Sequence, residues 1–177
     1  MQRLKLFLPL ALFAILALLL FRGLELDPRE MPSALIDKPL PEFSLPRLGA
    51  EARISRADVV GEVALFNVWA TWCGPCLREI PALKSLENDY HNKNIAFVSL
   101  SIDEKKDYQK WRTIIADKEL TGIQLMADNN WNSSFVTSYG IKGIPRFILI
   151  DTVGNIINSD APRPSNPEIR KILDELL

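Results

Sequence analysis

The chain has 177 residues, 47% of them hydrophobic and 24% charged, enough to bury one sizeable core and too apolar for a disordered chain. Its 21 Lys plus Arg against 22 Asp plus Glu leave a formal charge of −1, which supplies no basic field for a nucleic acid. Two cysteines and one histidine leave little to build a metal site from.

In chain order, Arg3 and Lys5 precede Leu6 to Phe21 (LFLPLALFAILALLLF), sixteen residues with neither a charge nor a polar side chain, closed by Arg22. The stretch has no polar face, so a buried amphipathic core helix is disfavoured. It is slightly under the roughly 17–25 residues that span a bilayer, a shortfall that helix ends and a snorkelling Arg22 make up. A cleaved signal peptide is the competing reading, but no A-x-A-like site follows. The expected organisation is a cytoplasmic N-terminus over 1–5, a single-pass signal anchor over 6–22, a proline-broken tether over 23–39 and a folded domain over 40–177. Lys and Arg before the anchor and acids after Arg22 put the remainder outside the cytoplasm, in an oxidising compartment.

PEFSLPRL reads as a short edge strand around Phe43 to Leu45, confined by Pro41 and Pro46, and Ser55 caps a brief turn. Val63 to Ala70 (VALFNVWA) and Ile95 to Ile102 (IAFVSLSI) are near-continuous apolar runs, as in strands buried on both faces. A helix runs between them to about Tyr90. Tyr108, Trp111 and Ile115 lie at helical spacing, so a second helix crosses the sheet before the strand IQLMAD, and a third ends at Gly140. RFILID and NIIN form a hairpin. Asn166 caps a last helix, with Pro167 in its first position and Ile169, Ile172, Leu173 and Leu176 as its apolar stripe. The fold class is an α/β sandwich with a mixed central sheet.

Both cysteines lie in WATWCGPCLREIP, Trp69 to Pro81. A structural disulfide is a poor explanation, because the gain grows with the length of loop closed and two intervening residues close almost none. Metal is also poor: His91 sits in the polar run DYHNKN, and Leu77 stands where a c-type haem motif needs a histidine. Redox chemistry fits the spacing. The pair falls where a strand ends and a helix begins, so Cys73 occupies the cap, where unpaired N–H groups and the helix dipole favour a thiolate. A thiol at the free value of about 8.5 is only about 3% ionised at pH 7, and one lowered to about 7 is half ionised. Cys76, one turn along, is placed to attack the mixed disulfide formed at Cys73. Gly74 and Pro75 suit the tight first turn, and Trp69 and Trp72 pack beside it or fill the core.

WCGPC after a buried strand resembles the thioredoxin superfamily, and Gly143-Ile144-Pro145 before RFILID supports the resemblance. It implies a three-layer α/β/α sandwich and a redox-active disulfide Cys73–Cys76. It further implies a cis Pro145 facing the dithiol, with Ile144 pairing with substrate backbone, and a kink at Pro81. Trp72, Gly74 and Pro75 then belong to the substrate-binding rim. Thioredoxins carry a buried Asp where this chain has Asn67, and Glu79 follows Cys76 by three residues. Glu79 reads either as an exposed helical residue or as the group that takes the proton from Cys76. With the anchor and the extra helix–strand unit from Glu104 to Ala127, the pattern is similar to the membrane-anchored TlpA, ResA and CcmG (DsbE) reductants. The first eighty or so residues look close to CcmG and the remainder more like ResA or TlpA, with Gly74 and Arg146 where CcmG proteins usually have Pro and an acid.

The resemblance implies a thiol-disulfide oxidoreductase in the periplasm, held in the inner membrane, that reduces apocytochrome c or a haem-ligation component. A membrane thiol donor of DsbD or CcdA type re-reduces it, and no cofactor is required. The alternative is a general reductase or oxidant with another substrate. A peroxiredoxin-type peroxidase fits less well, since Ala70 and Phe66 stand where P-x-x-x-T-x-x-C needs Thr and Pro. A non-catalytic binding module would leave the dithiol unused.

Overall fold

A computed structural model describes residues 2–25, 35–50 and 52–177. They fall in two compact units, Met1–Pro32 and Ser33–Leu177.

In the first unit the apolar run lies within helix α1, Gln2–Glu25, of 24 residues. Leu12, Phe13, Ile15, Leu16 and Leu18 to Phe21 are all more than half exposed, so the helix presents apolar side chains with no polar face between them. The side chains of 2–8, 10 and 23–25 and the segment 26–34 lie outside the described residues. Among the described residues no helix is long and apolar enough to cross a membrane. The run expected to be a transmembrane helix over 6–22 is thus shown as a helix and not as a span.

The second unit is built on β3, Val63–Trp69, which is buried at every position. A strand with two apolar faces needs cover on both, and its alternating side chains divide between two clusters. Val63 and Leu65 point with Phe147 and Leu149 toward Leu83 and Leu86 of α2 (Gly74–Asp89) and Ile169 and Leu173 of α5 (Glu168–Leu176). Ala64, Phe66 and Val68 point the other way, with Trp111 of α3 (Tyr108–Asp117) and Phe135 of α4 (Ser134–Ser138). The result is helices on both faces of a five-stranded sheet, the thioredoxin-like α/β arrangement. Strand order is β5-β4-β3-β6-β7, where β4 is Ile95–Ser101, β5 Ile123–Met126, β6 Arg146–Ile150 and β7 Ile156–Asn158. β3 pairs parallel with β4 and antiparallel with β6, so the sheet is mixed.

Three details differ from the sequence reading. The strand expected near Phe43 does not join the main sheet. β1 (Ser44–Pro46) pairs instead with β2 (Arg53–Ser55) in a separate hairpin. Pro46 has no N–H for a longer ladder, and the backbone link to the main sheet is one bridge, Arg47 to Leu125, plus Leu48 N–H donating to Gln124 O at 2.9 Å, while Phe43 and Leu45 pack on the sheet through their side chains. The folded unit also starts before Leu40: Asp37 N–H donates to Ile156 O at 3.0 Å and Ile156 N–H to Lys38 O at 3.0 Å, which adds the end of the expected tether to the rim of β7. Finally, Leu176 ends the α5 stripe 36% exposed, whereas Ile169 and Leu173 are fully buried.

Candidate active site

β3 stops at Trp69, and the chain turns with Cys73 N–H donating to Ala70 O at 3.1 Å. Cys73 then takes an extended conformation, φ −83° and ψ 97°, as the N-cap of α2, with Pro75 in the first turn where its missing N–H costs nothing. Its sulfur accepts the Cys76 backbone N–H at 3.2 Å. A cap normally offers an oxygen to that donor. Here it offers sulfur, so the group that satisfies the helix end is also the group that would carry negative charge as a thiolate. Cys73 and Cys76 are joined by a disulfide. The two residues are 5% and 4% exposed, so burial does not distinguish them in this oxidised form, and Cys76 is no better shielded than Cys73. Position does distinguish them, since Cys73 holds the cap and Cys76 lies inside the helix.

On the other side of β3 lies β6. Ile144–Pro145 is a cis peptide bond, and Arg146 next to it pairs with Val68 of β3. Continuing that antiparallel register sets Pro145 and Ile144 beside Trp69 and Ala70, the residues that lead into the dithiol. Ile144 packs on the same apolar cluster as both cysteines. Trp72 is 53% exposed and Gly74 and Pro75 are exposed, which leaves a lip around a buried sulfur pair. Trp69, by contrast, is a buried core residue.

Glu79 is not on the solvent side. It is buried on the inner face of α2, where Ser165 donates its N–H to Oε2 at 3.1 Å and its hydroxyl to Oε1 at 2.9 Å. Asn67 is also buried, with Nδ2 donating to Ser99 Oγ at 3.4 Å across the β3–β4 pair.

Two groups escape the sequence reading. Asp103, 1% exposed, accepts Thr71 N–H at 2.9 Å, Thr71 Oγ1 at 2.8 Å and Ser101 Oγ at 2.7 Å. It ties the loop before Cys73 to the end of β4, and an unpaired carboxylate there would be costly. Its signal is the Ser-x-Asp that ends the apolar run at Ser101. Ser165 has no such signal, because it lies 86 residues from Glu79. Among the described residues no three His, Cys, Asp or Glu converge to hold a metal ion, and His91 is an exposed residue 2.6 Å from Asn88 O.

A capped Cys-x-x-Cys pair, with a cis-proline just before the neighbouring strand, on this fold defines a thiol–disulfide oxidoreductase of the thioredoxin superfamily. Comparison with known proteins agrees and narrows it. The Redoxin family matches residues 36–176. A thiol:disulfide interchange protein DsbE of Pseudomonas aeruginosa is 40% identical over 160 residues, covering 88% of this chain and 83% of that protein. HelX, a thiol:disulfide interchange protein of Rhodobacter capsulatus, is 31% identical over 85% of this chain and 82% of its own. Among solved structures, a thiol-disulfide oxidoreductase of Bacteroides vulgatus superimposes with a TM-score of 0.71 at 34% identity, covering 82% of this chain and 99% of that one. The chain belongs to the Redoxin family, as a DsbE-like member of the thioredoxin superfamily.

Proposed function

We propose that this chain is a periplasmic disulfide reductase held in the inner membrane by residues 6–22, with Cys73 as its nucleophile and Cys76 as its resolving thiol. The capped sulfur of Cys73 is the observation that carries the reading. In the reduced protein the Cys73 thiolate attacks one sulfur of a substrate disulfide, forming a mixed disulfide and expelling the other substrate sulfur as a thiolate. Cys76, deprotonated, then attacks Cys73 Sγ. The Cys73–Cys76 bond forms, the mixed disulfide breaks, and the second substrate thiol leaves. Two electrons and two protons pass to the substrate, and a membrane thiol donor of DsbD or CcdA type returns them. Glu79, on the same buried face as Cys76, is the carboxylate that receives the Cys76 proton. Trp72, Gly74, Pro75, Ile144 and Pro145 form the surface that meets substrate.

The relatives named thiol:disulfide interchange protein DsbE, and the resemblance to CcmG, point to apocytochrome c as the substrate. Cys76→Ser tests the chemistry: Cys73 should then retain its substrate covalently, and mass spectrometry of the adduct names it. No adduct with any disulfide would overturn the nucleophile assignment. Rapid electron transfer from reduced protein to an oxidised CxxCH peptide is the result expected for cytochrome maturation. Transfer to other disulfides but not to this one leaves a general reductase, the reading that Gly74 and Arg146 favour.

A further inference from the structure

We infer that the rim of the dithiol is a cationic frame made by Arg78, Lys142 and Arg146, and that it selects disulfides flanked by acidic residues. The inference rests on the reductase reading and adds a substrate class to it.

Arg78 is exposed on the first turns of α2, with Nη1 3.7 Å from the position a Cβ at Gly74 would occupy. Its guanidinium therefore folds back over the turn that holds the two sulfurs. A cation near a helix N-terminus opposes the dipole, so helix stability does not explain it. A residue that breaks a local rule at a working site is best explained by the work done there. Arg78 and Lys142 form no ion pair among the described residues. Lys142 is exposed three residues before Pro145.

Arg146 directly follows Pro145. Its Nη1 meets Asp160 at 2.7 Å, and its Nε is buried with no hydrogen-bond partner. Asp160 is largely exposed, and an ion pair of that kind is worth only about 0–1 kcal/mol, so an incoming carboxylate can displace it. Among the described residues, Asp160 is the one acid ion-paired to the frame. Glu79 faces inward onto Ser165, and Asp103 is buried under three donors. A peptide laid along Ile144 thus passes between guanidinium groups on two sides, and carboxylates next to its cysteines gain attraction and association rate.

The test uses two disulfide peptides of the same sequence, one with Asp and one with Lys beside each cysteine, reduced by the full chain. At about 50 mM salt the acidic peptide should be favoured on the order of tenfold in kcat/KM, and the ratio should approach one near 1 M salt, where the Debye length is about 3 Å. Arg78→Glu with Lys142→Glu, both exposed, should invert the low-salt preference. Arg146→Gln should weaken it. A small uncharged disulfide reports any change in Cys73 reactivity separately. Equal low-salt rates for the two peptides, or a preference that the double variant leaves unchanged, would overturn the frame and leave the reductase reading intact. If neither peptide nor the uncharged disulfide is reduced, the reductase reading itself fails, and the frame with it.

Discussion

The two ends of α2 use their polar groups differently. At the far end Tyr90, Asp89 and Glu87 each hold a partner from outside the helix. The Tyr90 hydroxyl donates to Asp174 at 2.6 Å, Arg170 pairs with Asp89 at 2.7 Å, and Thr121 donates to the Glu87 carboxylate. Burial, reinforced by Asp174, pushes Tyr90 up to about 12. Gly122 fits there because it sits at φ +69°, with Phe97 O only 2.7 Å from where a Cβ would be. At the near end a backbone N–H is aimed at a sulfur, beside an exposed tryptophan and an arginine that forms no ion pair among the described residues. One helix thus has an end sealed for stability and an end left chemically unfinished. Stability and reactivity should therefore separate by position.

The largest effect should come from Cys73→Ala, which removes the proposed attacking sulfur. Disulfide reduction should fall at least about a thousandfold, to background, while the unfolding midpoint stays near that of the reduced protein. Retained turnover would break the contrast outright. Leu86→Ala, at the sealed end, should do the reverse. Loss of a fully buried leucine costs about 2–5 kcal/mol in denaturant unfolding, yet the Cys73 alkylation profile should not move. Ser165→Ala should fall between the two. It removes one of two donors to a buried carboxylate, for about 1–3 kcal/mol, and should alter the pH profile of reduction while leaving KM unchanged. A pure stability loss would assign Glu79 to structure alone.

Glu87→Gln should have the smallest effect, and its sign depends on pH. Burial raises the Glu87 carboxyl above the ordinary range, against the opposing pull of the Thr121 bond and Lys84. The folded protein therefore binds that proton more tightly than the unfolded chain. Its contribution is complete below the ordinary glutamate range and is lost as pH rises through the raised folded value. The variant should gain stability relative to the parent as pH rises from the ordinary glutamate range through the raised folded value. A gain that grows toward low pH would contradict the assignment.

The near end of α2 was largely legible in the sequence because its determinants are local. An apolar run marks β3 and WCGPC marks the cap; Asn166-Pro167 marks the start of α5, but Pro167 rather than Asn166 is its cap and the helix begins at Glu168, whose N–H donates to Asn166 Oδ1 at 3.0 Å. The cis bond before Pro145 came from resemblance, since composition carries no trace of it. What stayed hidden is non-local. Ser165 meets Glu79 across 86 residues, and Lys38 reaches Ile156 across the domain. Spacing along α2 left Glu79 open between an exposed residue and a partner of Cys76, and the Ser165 contact that holds it is too distant in sequence to be read. The second strand of the hairpin, Arg53–Ser55, was missed because three residues with alternating burial are too short a pattern to register.

The proposed chemistry requires one sulfur, that of Cys73, to have a low proton affinity. In the reduced protein, the rate of Cys73 alkylation measured across a pH series, with mass spectrometry to assign the site, tests it most directly. A midpoint near 7 or below is the expected result. A midpoint at or above the free-thiol value of about 8.5 would contradict it.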